Sequence, residues 1–307
     1  MLTAALLLSA SFSWVLPAQS VRLTTAPASP EPGAIVRLTL AGGQPRDSVL
    51  SVSGTLTGEP LHFLRAADGS WHAIGGVSVD AADSVVARAV VAYAGGRTDT
   101  VRAIIDVPPM PPPPPASRSK LSVSTRFTRP LSKATQRRIA RENAKARAIG
   151  RHAHDVPPLW TQAFLRPRDA VVTSPFGSGR VFNGRLTSRH LGVDFRGAVG
   201  DPIRAANRGV VALVDTFFLA GRVVYVDHGG GVVTGYFHMS KPLVAQGDTV
   251  ERGQVIGLVG ATGRVTGPHL HWNARYGAVT VNPMDLIELD PRWYGAERSA
   301  PAGTSRR

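Results

Sequence analysis

A chain of 307 residues with 43% hydrophobic and 18% charged residues carries enough apolar matter for one to three compact domains, which excludes disorder throughout. Beyond the N-terminal stretch every apolar run is cut within about ten residues by Gly, Pro or a charge, so no later segment spans a bilayer. Lys plus Arg number 35 against 21 Asp plus Glu, a net charge of +14 that favours an anionic partner, and Cys is absent, which leaves any metal to His, Asp or Glu and excludes disulfides, thiol nucleophiles and a lipidated cysteine.

In chain order, residues 1–20 place an apolar run from Ala4 to Leu16 before Pro17 and the small residues Ala18 and Ser20. That is the pattern of a secretory signal peptide, so the protein is expected to be exported, soluble, and resident in a periplasm or the extracellular cell envelope. Residues 21–107 hold short alternating runs, Val36-Arg37-Leu38-Thr39-Leu40, Val49-Leu50-Ser51-Val52 and Val85-Val86-Ala87-Arg88-Ala89-Val90-Val91, divided by Gly, Pro and Asp. This spacing predicts an Ig-like β-sandwich used as an accessory domain, with His62 and His72 as ordinary strand-surface residues.

Pro108, Pro109 and residues 111–115 then form a stiff polyproline spacer, because each ring fixes φ and removes a backbone donor. Ser132 caps a predicted basic helix over residues 133–149, with Gly150 as its stop. It carries Lys133, Arg137, Arg138, Arg141, Lys145 and Arg147 and reads as a solvated connector, so residues 108–164 are a proline-rich linker plus helix in which His152 and His154 are linker residues.

Residues 165–290 change character, with β-branched residues among many glycines and turns at Asn183-Gly184, His228-Gly229-Gly230-Gly231 and Thr262-Gly263. A compact antiparallel β domain is expected there, making the chain mainly β, with a flexible tail over residues 291–307. Within it Gly200-Asp201-Pro202-Ile203 and Arg208-Gly209-Val210-Val211 are echoed by Gly247-Asp248-Thr249-Val250 and Arg252-Gly253-Gln254-Val255. Biotin and lipoate carriers use such paired hairpins, but they need a lysine at the tip of the next turn, where this chain has Ala261-Thr262-Gly263.

Chemistry concentrates in three pieces: His190-Leu191-Gly192-Val193-Asp194, His238 within Tyr236-Phe237-His238-Met239-Ser240, and Pro268-His269-Leu270-His271-Trp272. On a strand, residues two apart share a face, so His269 and His271 project together while Leu270 and Trp272 face away. Gly192 lets the His190 segment bend, so that an imidazole and a carboxylate four positions apart reach one ion. A catalytic zinc site uses three protein ligands and leaves the fourth position open, so five candidates exceed what ligation requires and the surplus histidines are available as acid, base or oxyanion partners.

Residues 175–283 resemble the lysostaphin-type, or LytM-like, zinc metalloendopeptidases of bacterial cell walls. Besides the His190/Asp194 and His269/His271 motifs, the likeness takes in Phe176-Gly177, Arg180-Val181-Phe182-Asn183-Gly184, Val226-Asp227-His228-Gly229, Gly247-Asp248 with Gly253-Gln254, and Thr262-Gly263 before Gly267-Pro268. The resemblance implies one Zn²⁺ per peptidase domain bound by His190, Asp194 and His271, with His269 and His238 as catalytic histidines. It also implies hydrolysis of peptidoglycan stem-peptide cross-links rather than action on nucleic acid, and an N-terminal region placed to contact the active-site groove. His228 reads as a turn and hydrogen-bonding residue, while Arg180 and Asn183 are placed to contact substrate unless Asn183-Gly184 serves only as a tight turn. The alternative within the same resemblance is a catalytically silent or occluded activator of a separate wall amidase; the intact ligand set separates the two.

Overall fold

The computed structural model describes residues 21–42, 49–110, 121–184 and 186–290. The expected signal peptide, the polyproline run at residues 111–115 and the tail at residues 291–307 lie outside the described residues. Among those described, no helix is long and apolar enough to cross a membrane.

The N-terminal strands are β1 (Arg22–Ala26), β2 (Ile35–Ala41), β3 (Val49–Leu56), β4 (Glu59–His62), β5 (Leu64–Arg65), β6 (Trp71–Gly76), β7 (Ser84–Tyr93) and β8 (Thr98–Asp106). They make two four-stranded sheets, ordered β1-β2-β6-β5 and β4-β3-β7-β8, with every pairing antiparallel. The alternating runs explain this: Val36, Leu38 and Leu40 of β2 and Ala87, Ala89 and Val91 of β7 point inward to one shared core with Leu56 and Ile105, and the intervening polar residues face out.

Helix α1 (Lys133–His152) starts at Ser132, whose Oγ accepts from Thr135 N at 3.1 Å as the cap pattern requires. Contrary to expectation it is not a solvated connector, and Gly150 is not its stop. Ala146 and Ala153 pack on Phe217, Val223, Tyr225 and Val233. Glu142 Oε2 accepts from Phe218 N at 2.9 Å, Arg138 Nη2 donates to Thr216 O at 2.9 Å, and Lys145 pairs with Asp215 at 2.8 Å. Gly150 is buried inside the helix because a Cβ there would lie 1.8 Å from Gly277 O.

The C-terminal half comprises β9 (Val172–Ser174), β10 (Gly179–Phe182), β11 (Leu186–Arg189), β12 (Val193–Arg196), β13 (Pro202–Arg204), β14 (Gly209–Phe217), β15 (Gly221–Gly229), β16 (Val232–Met239), β17 (Lys241–Pro242), β18 (Thr249–Val250), β19 (Val255–Leu258), β20 (His269–Tyr276), β21 (Val279–Val281) and the short helix α2 (Pro283–Ile287). Its main sheet runs β18-β14-β15-β16-β20-β12-β9, with β21 on β20, and a smaller sheet runs β13-β19-β17. The echoed segments pair with each other: Ile203 faces Gly257 across β13 and β19, and Val210 faces Thr249 across β14 and β18.

The two halves are packed together. The main core of the C-terminal half includes Ile35 and Ile74 of the sandwich, and Trp160 and Phe164, which lie upstream of residue 165. Ile35 N donates to Asp285 Oδ2 at 2.8 Å, Asn282 N to Gly33 O at 2.8 Å, and Tyr276 Oη to Pro60 O at 2.7 Å. His62 and His154 depart from their expected surface and linker roles. His154 Nε2 lies 3.0 Å from Glu59 Oε2 and its Nδ1 2.8 Å from His62 Nε2, so these three side chains form a polar chain within the contact. His152 keeps its exposed position, 3.5 Å from Asp155.

Candidate functional site

The register of two neighbouring strands builds the site. Asp194 on β12 sits directly opposite His271 on β20, while Phe195 faces Leu270 and Val193 faces Trp272. Period-two alternation therefore sends Asp194, His269 and His271 to one face, while Leu270 and Trp272, as predicted, and Phe195 enter the hydrophobic core. On the other side of β20, Phe237 of β16 pairs with His271, and their rings stack at 5.1 Å and 13°. His190 reaches the same point from the segment before β12.

All five predicted residues meet here. His190, Asp194 and His271 are buried, and one ligand atom from each lies within 4.8 Å of the others. Asp194 Oδ1 is 3.0 Å from His190 Nε2 and 2.9 Å from His271 Nδ1, and those two nitrogens are themselves 2.9 Å apart. His190 Nδ1 contacts Pro175 O and Ser174 Oγ at 3.0 Å; the carbonyl can only accept, so Nδ1 carries the proton and Nε2 presents its lone pair to the cluster. A carboxylate oxygen and a lone-pair nitrogen thus converge with His271 Nδ1, an arrangement that a divalent cation with mixed nitrogen and oxygen ligands satisfies. The donor set fits zinc.

His238 and His269 stand beside this cluster with ring centroids 4.9 Å apart. Each has its Nδ1 held by a backbone carbonyl, His238 by Thr262 O at 2.8 Å and His269 by Gly267 O at 2.9 Å. In both rings the Nδ1 proton is therefore fixed and Nε2 is an acceptor. His269 Nε2 is buried, makes no hydrogen bond among the described residues, and lies 3.6 Å from Asp194 Oδ1. His238 has φ of 62°, the left-handed region that a non-glycine residue occupies only when its surroundings hold it there.

Burial dominates the electrostatics. It lowers His190 to about 4, against the Asp194 hydrogen bond that raises it. It also lowers His271 and takes His238 well below its ordinary value, with the His269 and His271 charges adding to the effect. Burial alone would raise the Asp194 carboxyl, but the His190 and His271 imidazoles set against its Oδ1 outweigh it and hold the group ionised far below the usual range. Arg180 Nη2 donates to the second Asp194 oxygen and, at 3.1 Å, to Ser174 Oγ. Neutral imidazoles around an ionised carboxylate are the protonation states that metal ligation needs.

Other readings are refined. Gly192 sits in a bend just before β12, as expected, and it also makes room for a site imidazole: a Cβ there would fall 2.5 Å from His271 Nε2 and 2.6 Å from Trp272 O. Asn183 does not face a substrate space. Its Oδ1 accepts from Val123 N at 3.0 Å and its Nδ2 donates to Val123 O at 2.8 Å and Thr128 Oγ1 at 3.1 Å, tying down the linker, and at φ of 51° it also turns the chain. His228 is fully buried between Arg208 O at 2.7 Å and Thr234 Oγ1 at 2.8 Å, and burial lowers it to about 4, so it is a hydrogen-bonding residue and not a ligand. Ser174, Thr262 and Gly267, which orient the imidazoles, went unread because they act through one hydroxyl and two carbonyls that carry no residue-type signal.

Two cavities meet at the cluster. One of about 520 Å³ is lined by His190, His238 and His271, by Asn143 and Arg147 of α1, and by residues 78–80 of the sandwich. The other, of about 390 Å³, is lined by Asp194, His269, Phe182 and residues 264–268.

Residues 188–283 match the model of "Peptidase family M23". The chain is 39% identical over 137 residues to the DD-carboxypeptidase/endopeptidase Mpg of Neisseria meningitidis serogroup B, covering 44% of this chain and 31% of that protein. It is 40% identical over 132 residues to the peptidoglycan DD-endopeptidase ShyC of Vibrio cholerae, covering 42% of this chain and 30% of that one. The chain thus spans about a third of the length of the curated relatives it matches. Among solved structures, an M23 peptidase from Pseudomonas aeruginosa aligns with 84% of this chain and 95% of its own, at TM-score 0.63 and 28% identity.

Proposed function

We propose, on the premise that residues 188–283 form a peptidase family M23 domain, that this chain is a zinc-dependent endopeptidase hydrolysing peptide cross-links of peptidoglycan. The observation that carries the reading is the convergence of His190, Asp194 and His271 beside two imidazoles whose Nε2 atoms are free to accept protons. The relatives named DD-endopeptidases support the substrate class. His190, Asp194 and His271 would hold one zinc ion, which when bound supplies Lewis-acid polarisation of a peptide carbonyl and acidifies water.

The chain's own residues have distinct tasks. His269, with Nδ1–H fixed on Gly267 O and a bare Nε2, takes the proton of the attacking water. His238 has the same tautomer, so it becomes a donor to the tetrahedral oxyanion only after receiving a proton, and its left-handed backbone sets its position relative to His269. Arg180 and Ser174 hold Asp194 and His190 in orientation. Residues 165–290 act as the peptidase domain and residues 21–107 as an accessory domain that walls one side of the groove. The proposed substrate and the signal pattern in the sequence of residues 1–20 support a location in the cell envelope, periplasmic or secreted.

The test is release of soluble peptides from purified peptidoglycan by the zinc-loaded chain, with His269→Ala and His238→Ala beside it. Mass spectrometry is expected to find new amine and carboxyl termini at cross-links, with each variant reduced by on the order of a hundredfold or more, the scale of general-base contributions. Unchanged walls with a folded, zinc-loaded chain would refute the hydrolase and leave the amidase activator as the better reading.

A further inference from the structure

Several arginines of this fold are placed by side-chain or carbonyl partners. Arg168 pairs with Asp201 at 2.5 Å, Arg138 with Glu142 at 2.6 Å, and Arg204 and Arg252 donate to the carbonyls of Gly253 and Ala163 at 2.9 and 2.7 Å. Arg264 departs from this pattern. Its backbone N donates to Leu219 O at 2.8 Å, and its guanidinium carbon lies 4.4 Å from the centroid of the Phe182 ring, but among the described residues the guanidinium makes no hydrogen bond and no ion pair. Burial lowers it to about 10, with the charge of Arg180 adding to the effect, so a partly desolvated cation is held beside a like charge.

Its location gives that arrangement a use. Arg264 and Arg180 are the two residues that line both cavities meeting at the histidine and aspartate cluster. Arg147, Arg189 and Arg275 line the larger cavity and Arg196 the smaller, whereas among the described residues the only lining carboxylates are Asp80 in one and Asp194 in the other. Asp194 is already occupied by Arg180, His190 and His271. The Phe182 ring face holds the guanidinium carbon at 4.4 Å and leaves its N–H groups for an anion, and arginine grips a carboxylate with two parallel hydrogen bonds.

We propose that Arg264 is a specificity-determining residue that binds a free carboxylate on the acidic peptide substrate, fixing the register of the chain across the site. The inference rests on the peptidase reading for the nature of its ligand. An anion there relieves the repulsion between Arg264 and Arg180 and satisfies donors that have no protein partner. A peptide whose carboxylate is amidated loses that interaction and keeps the rest of its contacts.

The experiment uses two synthetic cross-linked stem peptides, identical except that one carries free carboxylates and the other their primary amides. Binding is measured by calorimetry on the full chain in the His269→Ala background, where turnover is suppressed, with Arg264→Gln and Arg264→Lys added to it. The free acid is expected to bind at least about tenfold more tightly than the amide, the scale of one charge-assisted hydrogen bond. Arg264→Gln brings the two within about twofold, and Arg264→Lys retains part of the preference, with zinc content unchanged in all three. Equal binding of the two peptides, failure of the free acid to bind, or an undiminished preference in Arg264→Gln overturns the proposal. If Arg264→Gln does not fold, the parent's preference and its size in Arg264→Lys decide. Cleavage by the unmodified chain is scored separately: a carboxylate preference without cleavage indicts the peptidase reading, and cleavage without the preference indicts Arg264.

Discussion

Replacing Gly150 by alanine reverses the usual rule for helices. In an exposed helix interior this exchange stabilises by about 1 kcal/mol, because glycine loses the most conformational freedom on folding. Here the new Cβ would stand 1.8 Å from Gly277 O and 2.6 Å from the Gly277 carbonyl carbon. An ordinary C···O contact is about 3.3 Å, so helix and turn must part by about 1.5 Å, and both obstacles are backbone. The Gly277 turn cannot retreat freely, since it sits at φ of 56° with Glu59 and His154 behind it.

Overpacking of this kind costs about 1–3 kcal/mol, and each interface hydrogen bond stretched with it, such as Gly231 N to Ala153 O at 2.9 Å and the His154 to Glu59 contact at 3.0 Å, adds about 1. After the helix-propensity gain, the net expectation is a loss of about 2–4 kcal/mol, equivalent to about 3–6 °C in Tm for a chain of this size. Thermal and urea denaturation of Gly150→Ala measure it, with Ala144→Gly on the exposed face as the control, expected to lose about 1 kcal/mol by propensity alone. A Gly150→Ala chain as stable as the parent, or more so, would refute the docking of α1 against the β20–β21 turn.

Three further outcomes follow from the same packing. Gly192→Ala pushes a Cβ to 2.5 Å from His271 Nε2, so it is expected to weaken zinc affinity by about ten- to a hundredfold while far-UV circular dichroism stays native; competition with a chromophoric chelator reads this, and unchanged affinity contradicts it. Burial raises Asp285 to about 6, with Glu288 and Glu31 adding to the rise, against 3.8 when unfolded. Its contribution is thus fully present below pH 3.8 and lost as pH climbs through 6, by up to about 3 kcal/mol, so Asp285→Asn should flatten the stability profile between pH 4 and 6 and gain above it; parallel urea midpoints for the two chains across that range would sink the assignment. Asn183→Ala removes three hydrogen bonds to residues 123 and 128 and is expected to increase amide exchange over residues 121–128, with zinc content intact; unaltered exchange there would contradict the tether.

Much of the site was legible because its residues sit in short segments governed by a period of two. The His269 and His271 pair, and the inward Leu270 and Trp272, follow from strand alternation alone, and the sandwich runs at Val36 and Val85 obey the same rule. What escaped depends on neighbours distant in sequence. A glycine near a helix end reads as a stop, and nothing local in Gly150 announces that Gly277 presses against it. The bend at Gly192 was readable, but not the His271 ring that stands where its side chain would be. Glu59, His62 and His154 are individually unremarkable polar residues, and only the packing of the two halves links them. Arg264 was lost among 31 arginines, since what distinguishes it is burial beside the site without a hydrogen-bond or ion-pair partner among the described residues.

The central claim is that His190, Asp194 and His271 hold one metal ion on which peptide hydrolysis depends. Metal stoichiometry by plasma mass spectrometry after zinc loading and desalting, on the full chain and on Asp194→Ala, tests it most directly. One zinc per chain is expected, reduced to a small fraction in Asp194→Ala while the fold persists. Less than a tenth of an equivalent bound by the parent, or an equal and stoichiometric load in Asp194→Ala, would contradict it.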